Sequence, residues 1–506
     1  VDGTSRRTFL RGGVALAVAT PLIGACGQSA GQGAGGTLRA ALVGSGAAET
    51  LNPFAGATTL DFVRALAVHG TLGRVDPTAE DGVRYDVLSA IESAPDNSGY
   101  TLRVRPDRRF TDGSKLTARD VLYSLNFITA NAQTAYSRYA TDLDLAKARI
   151  IDDLTLVLPA KRRVSDVRLM LCQPYVLIFK DGTREFTPAT PSCGPFRVDT
   201  FEAGRGTVLR RNDSYPGTVH LDAIELRSIA AEDARANALR GGQVDYAHDL
   251  APAQARTVQG DGRFDVQQSA PPDVTGLGVL LNMSRPPFHD PRVRLACKLA
   301  INRQAILDTA LLGRGVLGND LFAPGYPDSA TTVPQREHDP ERARLLLREA
   351  GATGVTVTLT TAPETPGLVP MCTQIAAQLS EVGLKVTLDE RPPGGLYADY
   401  AAYGRFQMAA TYSTPIPPLH YYETVGAAGN TFALGWSRPD VDQRVAAARE
   451  LSGPARKQAS EAVHRTLWED NNVLLPVFKP VLNGHVRGLR GVRGGRLPSF
   501  AEASLR

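Results

Sequence analysis

The residues that could do chemistry in this chain are scattered, and most known catalytic patterns are missing. Eight histidines, His69, His220, His248, His289, His338, His420, His464 and His485, include no pair at metal-ligand spacing. No G-x-S-x-G, H-E-x-x-H, C-x-x-C or Walker phosphate loop occurs. A formal G-x-G-x-x-G at residues 31–36 has no strand before it and no helix pattern after it, so it carries no dinucleotide reading. The densest functional signal is aromatic: Tyr397, Tyr400, Tyr412, Tyr421 and Tyr422 lie close together, with Ser413, Thr414 and His420 among them and Asn430 and Trp436 just beyond. Tyrosine combines a flat apolar ring with a hydroxyl, which suits non-covalent binding of a mixed ligand better than bond making. Two of the five tyrosines are expected to face a ligand and the rest to pack beneath.

The N-terminus reads as an export signal. Arg6 and Arg7 stand in Ser5-Arg-Arg-Thr-Phe-Leu10, similar to a twin-arginine signal, and a short apolar run follows to Ile23. Ile23-Gly-Ala-Cys26 then resembles a lipobox, with Cys26 as the acylated first residue of the mature chain. Each buried methylene contributes about 0.8 kcal/mol, so a multiply acylated cysteine anchors a protein without a spanning helix. The residues that follow, to position 36, are glycine, serine, glutamine and alanine, a flexible tether. Residues 1–25 are therefore read as signal and 26–36 as lipidated cysteine and tether. Of the other cysteines, Cys172 and Cys193 are a candidate disulfide closing about 21 residues, worth about 3 kcal/mol in loop entropy. Cys297 and Cys372 fall in apolar helix patterns and are expected to be buried thiols.

The elements that must position these side chains belong to a long folded chain. At 506 residues, with 43% hydrophobic and 21% charged residues, it exceeds one core and is neither disordered nor membrane-spanning in composition. A net charge of +4 gives no reason to expect nucleic acid. Tyr100 to Arg105 alternates as a strand, Asp112-Gly113 is a turn, and Thr117 to Asp120 opens a helix with Val121, Leu122, Leu125 and Ile128 on one face. Asp339-Pro340 starts a helix that Gly351 ends, and Val355, Val357 and Leu359 alternate as a strand. A second helix over 370–381, closed by Gly383, leads into the strand-like 384–388. Alternating helices and strands argue for α/β lobes.

Four blocks carry a resemblance to a known family. They are the strand, Asp-Gly turn and capped helix of 100–125; Cys193-Gly-Pro-Phe196 through Leu209 to Tyr215, Leu221-Asp222 and Gly241 to Asp245; Leu281-Asn282 through Pro286-Pro287 and Asp290-Pro291 to Arg294; and Asp339 to Gly351. In this order they resemble the bacterial extracellular solute-binding proteins of the peptide, opine and nickel class, family 5. The resemblance implies a two-lobed periplasmic-binding-protein fold (type II, cluster C) with an extra domain inserted in the first lobe. Residues 37–50, 186–274 and 480–506 would form the first lobe, 51–185 the insert and 275–479 the second lobe. Asn282 and Pro286-Pro287 are expected at a crossing between lobes.

The resemblance further implies a monomeric, lipid-anchored binding protein on the outer face of the cytoplasmic membrane, with no cofactor and no metal. It would catalyse nothing and deliver a peptide or peptide-like solute to an ABC permease and its ATPase. The alternatives are a sensor or chaperone-like surface lipoprotein, or a hydrolase on the same scaffold. In relatives the peptide's amino end meets a carboxylate in a segment that here runs from Phe406 to Glu423. Tyr412, Ser413, Thr414 and Pro415 occupy that place without an acid, and Glu423 stands downstream. A solute lacking a free ammonium group therefore becomes competitive.

Overall fold

The computed structural model describes residues 35–55, 58–130, 137–427 and 429–506. The segment read as an export signal, Cys26 and most of the residues read as a tether lie outside the described residues. Three sheets organise the rest. A seven-stranded sheet runs Phe264–Gln268, Leu482–Val486, Tyr246–Ala247, Thr37–Leu42, Ala223–Ser228, Gly206–Arg211, Phe196–Glu202. Its central strand, Thr37–Leu42, pairs parallel on both sides. Alternation along that strand sends Leu38, Ala40 and Leu42 into one core and Ala41 into another, so helices cover both faces.

A six-stranded sheet runs Val316–Leu317, Val473–Pro480, Val274–Leu281, Met408–Ser413, Thr356–Thr361, Lys385–Glu390. Val274–Leu281 and Val473–Pro480 are buried at every position, as expected of central strands covered on both faces. A four-stranded antiparallel sheet, Leu88–Ser93, Gly99–Val104, Thr155–Pro159 and Arg149–Asp152, has its own core.

Local chemistry explains the elements read from the sequence. The helix Ala118–Ala130 starts where Asp120 accepts from the Thr117 N–H at 2.7 Å and from its hydroxyl at 2.8 Å, and Val121, Leu125 and Ile128 are buried. Pro340–Glu349 is capped by Asp339, which accepts from the Arg342 N–H at 2.9 Å. Pro291–Ala300 is capped by Asp290 through the Arg292 N–H at 2.8 Å. Gly194 is required by packing: a Cβ there would lie 2.6 Å from the Ala67 carbonyl oxygen and 2.7 Å from that of Val68, at the end of helix Thr59–Val68.

Two expectations are corrected. Asn282 lies at the far end of Val274–Leu281, where its amide donates to the Gly404 and Phe406 carbonyls at 3.1 and 2.7 Å; it fastens a loop and marks no crossing. The chain passes between the seven- and six-stranded sheets at 269–273 and at Val481 instead. Those crossings are paired: the Ser269 N–H donates to the Val481 carbonyl at 3.0 Å, and the Val481 N–H donates to the Ser269 hydroxyl at 2.9 Å. The second correction concerns Cys172 and Cys193, which are buried free thiols. They pack in different places, Cys193 Sγ accepting from the Gly70 N–H at 3.4 Å and Cys172 Sγ lying under Gly73.

Candidate functional site

Beside the crossings lies a cavity of about 940 Å³, lined from all three sheets' modules. Val43, Arg235, His248 and Asp249 come from loops at the ends of the seven-stranded sheet and from its helices. Tyr139 and Tyr175 come from the four-stranded module, and Thr275, Glu364, Tyr412 and Thr414 from the six-stranded one. Tyr139 and Tyr175 stack at 5.7 Å with an 11° interplanar angle, and Phe62 meets the Tyr175 ring edge-on at 5.4 Å. The rings give a ligand apolar area at little cost in side-chain entropy.

Charges of both signs are held in fixed positions. The buried Arg235 guanidinium donates to four carbonyls, those of Ile229, Ala230, His248 and Asp249, at 2.6 to 3.0 Å. Burial lowers its pKa, yet the carbonyls satisfy its donors. Burial also pushes the Asp249 carboxyl up, but Lys479 at 2.7 Å, helped by the Arg235 charge, holds it below its ordinary range. His248 is lowered to about 4 by burial, so it is neutral at pH 7 and its Nε2, 3.2 Å from the Gly495 carbonyl oxygen, is the donor. Glu232 is raised by burial. Glu364 is oriented by the backbone: its two oxygens accept from the Gly394 and Leu396 N–H groups at 3.1 and 3.0 Å.

Of the residues singled out in the sequence, Tyr412 and Thr414 line the cavity. Ser413 points away, because side chains alternate along Met408–Ser413; it is buried opposite Gly276, where a Cβ would lie 2.5 Å from its Oγ. Tyr397 packs on Tyr412 at 5.7 Å and on Tyr403 at 5.2 Å. Tyr400 is 58% exposed on the outside, edge-on to Phe432. Tyr421 lies against Phe322 at 4.2 Å, and the Tyr422 hydroxyl accepts from the Phe322 N–H at 3.2 Å. His420 and Trp436 are buried, Trp436 in the core of the six-stranded sheet. Asn430 caps a short helical turn through the Phe432 N–H at 2.9 Å. One tyrosine of the five lines the cavity, where two were expected.

Glu423 is engaged elsewhere. With Asp142, Asp166 and Asp328 it forms a network with Arg162, Arg449 and Arg456 that fastens the four-stranded module to the six-stranded one. Arg449, fully buried, reaches Asp166 at 2.7 and 2.8 Å, Asp142 at 2.8 Å, and also Glu423. The cavity residues Phe62, Tyr139, Tyr175, Arg235, His248, Asp249 and Glu364 carried no local signal; only the folded chain brings them together.

The family profile described as "Bacterial extracellular solute-binding proteins, family 5 Middle" matches residues 82–432. The chain belongs to this family. Its members bind solutes and do not transform them, so the hydrolase alternative is set aside. Over 513 residues the chain is 24% identical to the glutathione-binding protein GsiB of Escherichia coli (strain K12), with 96% of each covered. The fold is similar to that of DppA, the ABC transporter-associated periplasmic binding protein from Helicobacter pylori in complex with peptide STSA. There the TM-score is 0.77 and the identity 18%, over 94% of this chain and 98% of that one. It is also similar to AgaA from A. tumefaciens R10 in complex with agropinic acid, with TM-score 0.74 and identity 20% over 93% and 99%. Among the described residues no helix is long and apolar enough to cross a membrane.

Proposed function

We propose that this chain is the receptor of an ABC importer for a peptide-like solute. The solute enters the cavity between the sheets, the lobes rotate about the paired crossings, and the loaded form docks on a permease powered by its ATPase. The lobes of this reading are residues 37–50, 186–274 and 480–506, with 51–185 inserted, and 275–479. The observation that carries it is the cavity of about 940 Å³ beside the crossings, walled by aromatic rings and by fixed charges of both signs. Relatives named for glutathione, or crystallised with a peptide, support the solute class.

The missing acid of 412–415 has a substitute in this reading. Glu364 lines the cavity with both oxygens already oriented, whereas Glu423 is held by Arg162 and Arg449. Glu364 receives the solute's ammonium group. The test is titration calorimetry of a binding peptide and its N-acetylated form against the wild type and Glu364→Gln. Capping should cost the wild type about 2 to 5 kcal/mol, over tenfold, and the two forms should bind Glu364→Gln within a few-fold of each other. A wild-type loss below tenfold would return the site to a solute without a free ammonium group.

The same proposal includes export through Arg6-Arg7, a lipid anchor on Cys26 at the outer face of the cytoplasmic membrane, and a monomeric receptor. Cys26→Ala should move the protein from the membrane to the soluble fraction, and an unchanged membrane fraction would remove the anchor from the reading.

A further inference from the structure

The network of Arg162, Arg449 and Arg456 spans a division in the chain. The four-stranded module leaves the seven-stranded sheet after Thr37–Leu42 and rejoins it at Phe196–Glu202, so the backbone ties the module to that sheet. Among the described residues the chain passes to the six-stranded sheet only at 269–273 and at Val481. Asp142, Arg162 and Asp166 therefore belong to one half of the molecule, and Asp328, Glu423, Arg449 and Arg456 to the other. Only side chains and hydrogen bonds join the halves at the network.

The ion pairs are doubled across this division. Arg162 has Asp142 in its own half at 2.9 Å and Glu423 in the other at 2.7 Å. Arg449 has Glu423 in its own half and reaches across to Asp142 at 2.8 Å and Asp166 at 2.7 Å. Arg456 has Asp328 in its own half at 2.5 Å and reaches across to Asp166 at 3.2 Å. Asp166 is the exception, because Arg449, Arg456 and the nearby His420 all lie across from it. The backbone joins in: the Ser165 N–H donates to the Arg449 carbonyl at 2.8 Å, and the Ser165 hydroxyl donates to the Leu451 carbonyl at the end of helix Pro439–Glu450. The same hydroxyl accepts from Arg456 at 2.8 Å.

Such doubling suits a contact that is made and broken. With the halves parted, each arginine keeps a carboxylate beside it, while Asp166 and the two carbonyls turn to water, which solvates them. An apolar face parted in the same way would be left exposed and adhesive. The module also carries Tyr139 and Tyr175 of the cavity wall, so parting the network moves that wall.

We propose that this network is the latch of the solute cleft: it engages when the two halves shut over the cavity, holds them shut, and parts when they rotate about the crossings. This rests on the receptor reading above and adds the contact that holds the shut form.

The test is hydrogen–deuterium exchange of the purified full chain, resolved to single amides by mass spectrometry, together with small-angle X-ray scattering. Wild type is compared with Asp166→Asn and with Arg162→Gln, the second a milder change that leaves Arg449 and Arg456 in place. In the variants the Ser165 N–H should exchange at least about tenfold faster than in wild type, while amides of the core strands Gly99–Val104 and Val274–Leu281 keep their protection. The radius of gyration should rise as well. Exchange that rises at Ser165 and in the core strands together would mean a permanent fastening that yields only on unfolding, and would overturn the proposal. Faster exchange at Ser165 with an unchanged radius of gyration means local fraying and overturns it too, as does unchanged exchange. If Asp166→Asn does not fold, Arg162→Gln alone decides by the same criteria. No solute is added, so a negative result leaves the receptor reading standing, and the capping titration decides that reading separately.

Discussion

Replacing Arg449 by Met should destabilise the protein by about 3 to 5 kcal/mol, the usual consequence of removing one partner from a buried charge network. The side chain is 1% exposed and serves three carboxylates, those of Asp142, Asp166 and Glu423. Met fills similar volume, so the loss measures charge and not a cavity. After the change, Arg162 and Arg456 are the arginines left to pair with Asp142, Asp166, Asp328 and Glu423, with His420 near Asp166. Urea unfolding reads the result, followed by circular dichroism and by tryptophan fluorescence, since Trp436 belongs to the core of the six-stranded sheet and Trp468 packs against it. Arg449→Met/Asp166→Asn should be less destabilised than the sum of the singles by at least about 1 kcal/mol, because removing both partners leaves fewer unpaired charges. Solute affinity should fall as well, since the network holds the module that supplies Tyr139 and Tyr175. A loss under about 1 kcal/mol, or strictly additive singles, would refute the argument that this network fastens the cleft wall.

The same network predicts a pH dependence. Burial pushes Asp166 up, but Arg449 and Arg456 overcome it and hold the carboxyl at about 2, against about 3.9 in an unfolded chain. A depressed carboxyl stabilises the fold above its unfolded value and loses that effect as pH falls through its folded one, here between about pH 5 and 2, a contribution of about 2 to 3 kcal/mol. The deficit of Arg449→Met in urea should therefore shrink between pH 6 and pH 3, and a constant deficit would contradict it. Gly194→Ala should lower stability by about 1 to 3 kcal/mol, because the carbonyls of Ala67 and Val68 at 2.6 and 2.7 Å are backbone and cannot swing aside. Thermal melts check it, and a neutral outcome would mean that the helix end shifts freely. Burial pushes the thiols of Cys172, Cys193, Cys297 and Cys372 up to about 12. Native protein at pH 8 should leave all four unalkylated by iodoacetamide, and protein in urea without reductant should alkylate all four; two unreactive cysteines in urea would restore the disulfide.

Where a feature depends on neighbours in sequence, it was legible. The Thr117 and Asp120 cap, the Asp339 cap and the strand of Val357 and Leu359 each follow from a few adjacent residues, and the four blocks built of such features led to the fold and family that are observed. The cavity was not legible, because its wall draws on Val43, Tyr175, Arg235, Glu364 and Arg496, which only the sheet topology brings together. In the tyrosine-rich stretch, density along the sequence does not fix the direction in which each ring points. Tyr412 and Ser413 are adjacent, yet one faces the cavity and the other Gly276. Tyr421 and Tyr422 lie on a helix whose rings turn to Phe322. Pro286-Pro287 looked like a crossing because prolines often mark linkers, whereas the crossings are made of Ser269 and Val481, whose side chains carry no such signal.

In the proposed function the cavity beside the crossings receives a peptide-like solute. This is tested most directly by recovering whatever the protein carries from its native host, identifying it by mass spectrometry after unfolding, and titrating it into wild type and Tyr412→Ala. The expected result is a peptide-like compound that binds one to one, with affinity reduced at least tenfold in the variant. A compound of another class, or an affinity that Tyr412→Ala leaves unchanged, would contradict it.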